Sequence, residues 1–230
     1  MTEPPVPGKS VQVGRLRLQF PAISPDNRKV ARTEQPFDPT SWSGALIVML
    51  AITAVLYVIQ IVNSALSYRL DRYGLHARTA RGLEGIVTAP FLHTTWWHLI
   101  SNTPTFVVLG WLVLLAGVRG WLIVSGSVLV LGGIATWVAA PEGLIVGSTC
   151  LTFGWLGYLL ARAIFSRRII WILAAIVVVS FFSGLLGGLL PGTRSGEFWQ
   201  AHLCYFLAGF AVGWLLHPRS ARKRSRPAVS

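Results

Sequence analysis

Three short stretches of this chain carry side chains that can do chemistry: HTTWWHLISN, with His93, His98 and Asn102; GSTC, with Ser148, Thr149 and Cys150; and QAHLCY, with His202. An imidazole near neutrality serves as a general base, a hydroxyl beside it becomes a nucleophile, and amide or imidazole N–H groups stabilise a developing anion. His98 and Asn102 are four residues apart, so on a helix they share one face. Each side chain also has a plain structural use. Thr149 suits a helix N-cap, His98 and Asn102 suit interhelical hydrogen bonds, and His202 suits a membrane interface beside Trp199. A zinc site built from His98, His202, Cys150 and Cys204 fits poorly. His93 and His98 are about 140° apart around a helix, unlike the i, i+4 pairs that chelate from one face. No metal and no cofactor are therefore expected.

What must position these groups is a set of apolar runs. Hydrophobic residues make up 53% of the chain and charged residues 12%, about half the charged share of a soluble domain. Six runs are long enough to cross a bilayer: 43–65, 96–116, 121–139, 144–164, 169–190 and 199–216. The expected fold is therefore all-α, a polytopic six-helix bundle over residues 41–217, with tails at 1–40 and 218–230. The first tail is polar and Pro-rich, holds six Lys or Arg, and is expected to be disordered. The only long connection is 66–95.

Lys and Arg outnumber Asp and Glu by 20 to 8. With both termini in the cytoplasm, the tails, Arg119, Arg162, Arg167 and Arg168 all fall inside, as the positive-inside rule expects. Arg69, Arg72, Arg78 and Arg81 dissent from the outer connection. The basic tails read as anchors for anionic lipid, since no nucleic-acid module accompanies them. No Asp, Glu or Lys interrupts the six runs, which weakens an ion-coupled transporter. In this topology the even-numbered runs all begin at the outer face. His93, His98, Asn102, Thr149 and His202 then meet at one depth of a cell-membrane protein, where uncompensated polar groups are costly.

The pattern resembles the rhomboid family of intramembrane serine proteases. The second-span signature His-x4-His-x3-Asn is matched by His93, His98 and Asn102. The fourth-span pattern is echoed by Gly147, Phe153, Gly154 and Gly157, and the sixth-span histidine by His202 after Ala201. The likeness runs over roughly residues 43–216. It implies a fourth-span nucleophile with His202 as base, His98 and Asn102 as oxyanion donors, Phe153 against the imidazole, and His93 in support. Counting back from Phe153 places Thr149, not Ser148, at the nucleophile position. Cys150 and Tyr205 stand where the family usually has glycine. Ser148 is the alternative nucleophile, and Cys150 a less favoured one because it points further round the helix.

A threonine methyl restricts χ1 and crowds the attack, and added bulk between spans four and six threatens the distance between the two reacting groups. The sequence therefore reads first as a rhomboid-like pseudoprotease that binds transmembrane segments of other proteins. An active intramembrane endopeptidase is the second reading and a transporter a remote third.

Overall fold

The computed structural model describes residues 10–13, 16–19, 38–191 and 198–217. Contacts divide the chain into two units, 1–37 and 38–230. In the first, β1 (Ser10–Val13) pairs antiparallel with β2 (Leu16–Gln19), in the register Ser10↔Gln19 and Val13↔Leu16. This short hairpin lies within the tail 1–40 that composition reads as disordered. Apolar residues alternate at Val11, Val13, Leu16 and Leu18, a period-two pattern that composition alone conceals. The rest of that tail, and the basic tail from 218, lie outside the described residues.

The second unit is helical. Its long apolar helices are α1 (Trp42–Ala65), α2 (Trp96–Leu114), α3 (Val118–Ala139), α4 (Thr149–Ser166) and, last in the chain, α7 (Trp199–Leu216). Between α4 and α7 lie α5 (Ile169–Phe181) and the short α6 (Ser183–Gly187). Among the described residues five helices are long enough to span a membrane, and the fifth apolar run, 169–190, is not one continuous helix. The 13 residues of α5 rise only about 20 Å, against about 30 Å of hydrocarbon. The reason lies in the sequence GLLGGLLPG from Gly184, where closely spaced glycines and a proline withdraw helix propensity.

The fourth run also starts later than expected, at Thr149 rather than Leu144. Gly143 and Gly147 have φ of 148° and 122°, values in which L side chains are strained. Between them β4 (Leu144–Ile145) pairs with β3 (Leu75–His76). The 66–95 connection is thus tied to the bundle. Asn63 Nδ2 donates to Asp71 at 2.8 Å, and the Leu70 N–H donates to Asn63 Oδ1. Arg78 Nη1 donates to the Ala140 carbonyl at 2.6 Å, and Trp137 Nε1 donates to the Thr79 carbonyl. One dissenting arginine is thereby explained, because a cation at the end of α3 answers the helix dipole.

α4 is the most enclosed of the five long helices, with Phe153, Trp155, Leu156 and Leu159 all buried. Against α7 it packs through glycine. A Cβ on Gly209 would overlap the Gly154 carbonyl oxygen, and one on Gly157 would overlap the Phe206 carbonyl. Such small-residue faces let two backbones touch.

Tyr205 does not enter that contact. Its ring lies over Gly132, where a Cβ would collide with it, within the π-helical turn Val128–Gly132 of α3. The bulk expected to force α4 from α7 is absorbed by the third span.

Gly209→Val should therefore destabilise the protein by at least the roughly 1–3 kcal/mol typical of overpacking, read as a lower midpoint of thermal unfolding in detergent. Gly126→Val, at a position with open space around it, should leave that midpoint almost unchanged.

Candidate active site

The N-terminal ends of α2, α4 and α7 surround a cavity of about 670 Å³, lined by His98, Asn102, Thr149, Cys150, Phe153 and His202 among others. Each end is set locally. Thr95 caps α2, its hydroxyl accepting the His98 N–H at 3.0 Å. Gly147 turns the chain into α4, and a Cβ there would lie 2.8 Å from His98 Nε2 and 3.2 Å from Thr149 Oγ1. Only glycine leaves those two groups facing the same space.

His202 is held on two sides. Phe153, one turn after Thr149, stacks on the imidazole with centroids 4.2 Å apart and planes at 16°. The imidazole Nδ1–H donates to the Gly188 carbonyl at 3.0 Å. Because a carbonyl only accepts, the proton sits on Nδ1, and Nε2 is the basic nitrogen of the neutral ring. Asn102 presents a different feature, a buried Nδ2 with no hydrogen-bond partner on a residue lining the cavity. Buried unpaired donors are rare and call for a use.

Ser148 goes elsewhere. It is buried, and its backbone N–H donates to His93 Nε2 at 3.2 Å, with its hydroxyl 3.3 Å from the same nitrogen. Both Ser148 and His93 are absent from the cavity lining. Cys150 is almost fully buried. Its thiol neighbours the buried Tyr205 hydroxyl.

Of the residues singled out from sequence, the cavity gathers Thr149, His202, His98, Asn102, Cys150 and Phe153. Gly147 shapes it, while His93, Ser148 and Tyr205 stand behind it. Sequence reasoning missed Gly188 and Gly132. The first was legible as a helix-breaking GG pair, whereas nothing local marks the second. Among the described residues, no three His, Cys, Asp or Glu side chains gather as metal ligands.

Apolar helices around a recessed polar cavity define a multi-pass membrane protein whose site is assembled from three separate helices. This chain belongs to the rhomboid family: the Rhomboid domain model matches residues 80–219. It is also similar to the uncharacterized protein Rv1337 of Mycobacterium tuberculosis, 30% identical over 227 residues, covering 95% of this chain and 93% of the other. The uncharacterized protein ML1171 of Mycobacterium leprae is 33% identical over 192 residues, covering 80% and 76%.

His93 lies in the loop before α2, and burial, then the neighbouring His98, push its imidazole down to about 3. An unfolded histidine protonates near pH 6.5. The unfolded chain therefore gains a proton that the folded one refuses, and stability falls as pH drops from about 6.5 toward 3. Thermal midpoints measured between pH 7.5 and pH 5 should decline, and His93→Gln should remove part of that slope.

Proposed function

We propose that this protein is a rhomboid-type intramembrane endopeptidase that works through Thr149. The observation that carries the reading is the double hold on His202, by Phe153 and the Gly188 carbonyl, in a cavity shared with Thr149; in this reading its Nε2 is the base. As Thr149 Oγ1 attacks a substrate carbonyl carbon, its proton passes to His202 Nε2. His98 and the unpaired Nδ2 of Asn102 receive the oxyanion, and His202 returns the proton to the leaving amine. Water then releases the acyl group by the same base. The substrate is a membrane-spanning segment that unwinds readily, because an intact helix keeps its carbonyls hydrogen-bonded.

In this reading both termini are cytoplasmic and the cavity opens to the outer face of the cell membrane. The basic tails rest on anionic lipid.

One departure from the family pattern weighs less than its sequence position suggests. Tyr205 is seated over Gly132, and the glycine contact of α4 with α7 is kept. The threonine methyl remains, and it favours the second reading, a pseudoprotease that binds transmembrane segments without cutting them. The rate expected of Thr149 is therefore low.

Labelling the purified protein with a fluorophosphonate serine-hydrolase probe, alongside cleavage of a single-span substrate, separates the two readings. Thr149→Ser should raise cleavage about tenfold or more, as expected when a misplaced reacting group is freed. Thr149→Val and His202→Ala should abolish both signals. Tyr205→Gly should reduce activity, since it empties the space over Gly132. No labelling of the parent or of Thr149→Ser, with both folded, would leave the pseudoprotease reading standing.

A further inference from the structure

The opposite end of α4 carries a second concentration of polar groups. Arg162 is 13 residues beyond Thr149, about 20 Å along the helix. Its guanidinium lies over the Trp171 ring of α5 at 3.6 Å, and Nη1 donates to the Tyr158 hydroxyl at 3.2 Å. That hydroxyl is also 3.2 Å from Nε2 of His217, which follows α7. The end of α4, the start of α5 and the end of α7 therefore converge on one arginine.

Among the described residues, every contact there is neutral or cationic. The charged and titrating groups acting on Arg162 are Tyr158 and Arg168, with no carboxylate among them. Those acting on His217 are Arg162 and Arg168. Arg162 Nε and Ser166 Oγ are both buried without partners. The first turn of α5 adds to the imbalance. Arg168 occupies its N-cap, where Ser or Asp is favoured; no side chain caps the turn and no acid lies within it. The leading N–H groups of a helix lack intrahelical partners and favour an anion. A half-buried guanidinium without a counter-ion is costly, so this corner has the charge, the donors and the geometry to hold one.

We propose that this corner binds the phosphodiester head group of an anionic phospholipid. A lipid fits better than free phosphate because the site opens onto the exposed apolar face of α5, with Ile169, Ile170 and Leu173 at 69%, 58% and 50% exposure. Those side chains give acyl chains a surface beside the head group. Trp171, whose ring backs Arg162, is an interfacial residue by type.

The test is native mass spectrometry of the detergent-purified full chain, titrated with dioctanoyl phosphatidylglycerol and with dioctanoyl phosphatidylcholine. One phosphatidylglycerol should be retained in preference to phosphatidylcholine. Arg168→Gln, at an exposed position that leaves the packing intact, should weaken retention about fivefold, the increment of one basic residue at an anionic surface. Arg119→Gln, an exposed arginine at the start of α3, should change nothing. Equal retention of the two lipids, or equal losses from Arg119→Gln and Arg168→Gln, would overturn the proposal. Displacement of the lipid by millimolar inorganic phosphate would also overturn it, by showing a site for free phosphate.

Discussion

The distance between the backbones of α4 and α7 is the constraint on which this site depends. Thr149 opens one helix and His202 lies in the first turn of the other, so any base–nucleophile relation between them inherits the spacing of the two axes. That spacing is set below the cavity, where Gly209 meets the Gly154 carbonyl and Gly157 meets Phe206. Side chains at those positions would separate the helices by the width of at least a methyl group, and reactions of positioned groups lose rate steeply with such shifts. Dispersion and close packing hold the contact, because two apolar faces gain little from leaving lipid.

Much of this was legible in the sequence. The apolar runs gave the bundle, and the polar side chains at their ends gave the cavity, because such groups at membrane depth need one another. Counting back from Phe153 on the rhomboid pattern singled out Thr149 over Ser148, and the structure puts Thr149 in the cavity lining, Phe153 on His202 and Ser148 on His93. Helix ends were less legible. Hydropathy does not distinguish the extended Leu144–Ile145 pair from a helical turn, since both are apolar; the backbone of Gly143 and Gly147 decides the matter. The fifth run fails for a related reason, its glycines being as apolar as a span requires but poor at continuing a helix.

Tyr205 shows where one-dimensional reading stops. A large residue at a position normally small looks like damage when only its own helix is considered. In three dimensions its ring points past α4 toward α3, whose π-helical turn brings Gly132 beneath it. The compensating residue is 73 positions away in sequence, and no local pattern links the pair. A π turn rotates the following residues relative to an α-helical register, and here the register it sets places a glycine, not Leu131 or Ile134, against the aromatic ring.

The two ends of α4 illustrate one rule with opposite outcomes. At the cavity, an imidazole, an amide and a hydroxyl are gathered with Asn102 Nδ2 left buried and unpaired, a cost that a neutral group bears more readily than a charge does. At the other end an arginine is gathered with aromatic rings, and its surplus charge requires a partner from outside the described chain. In both places the helix supplies only position, about 20 Å of rigid separation, and the residue types decide what is bound. A mutation that slid α4 along its axis would therefore disturb both ends together, whereas exchanging Thr149 or Arg168 addresses each alone.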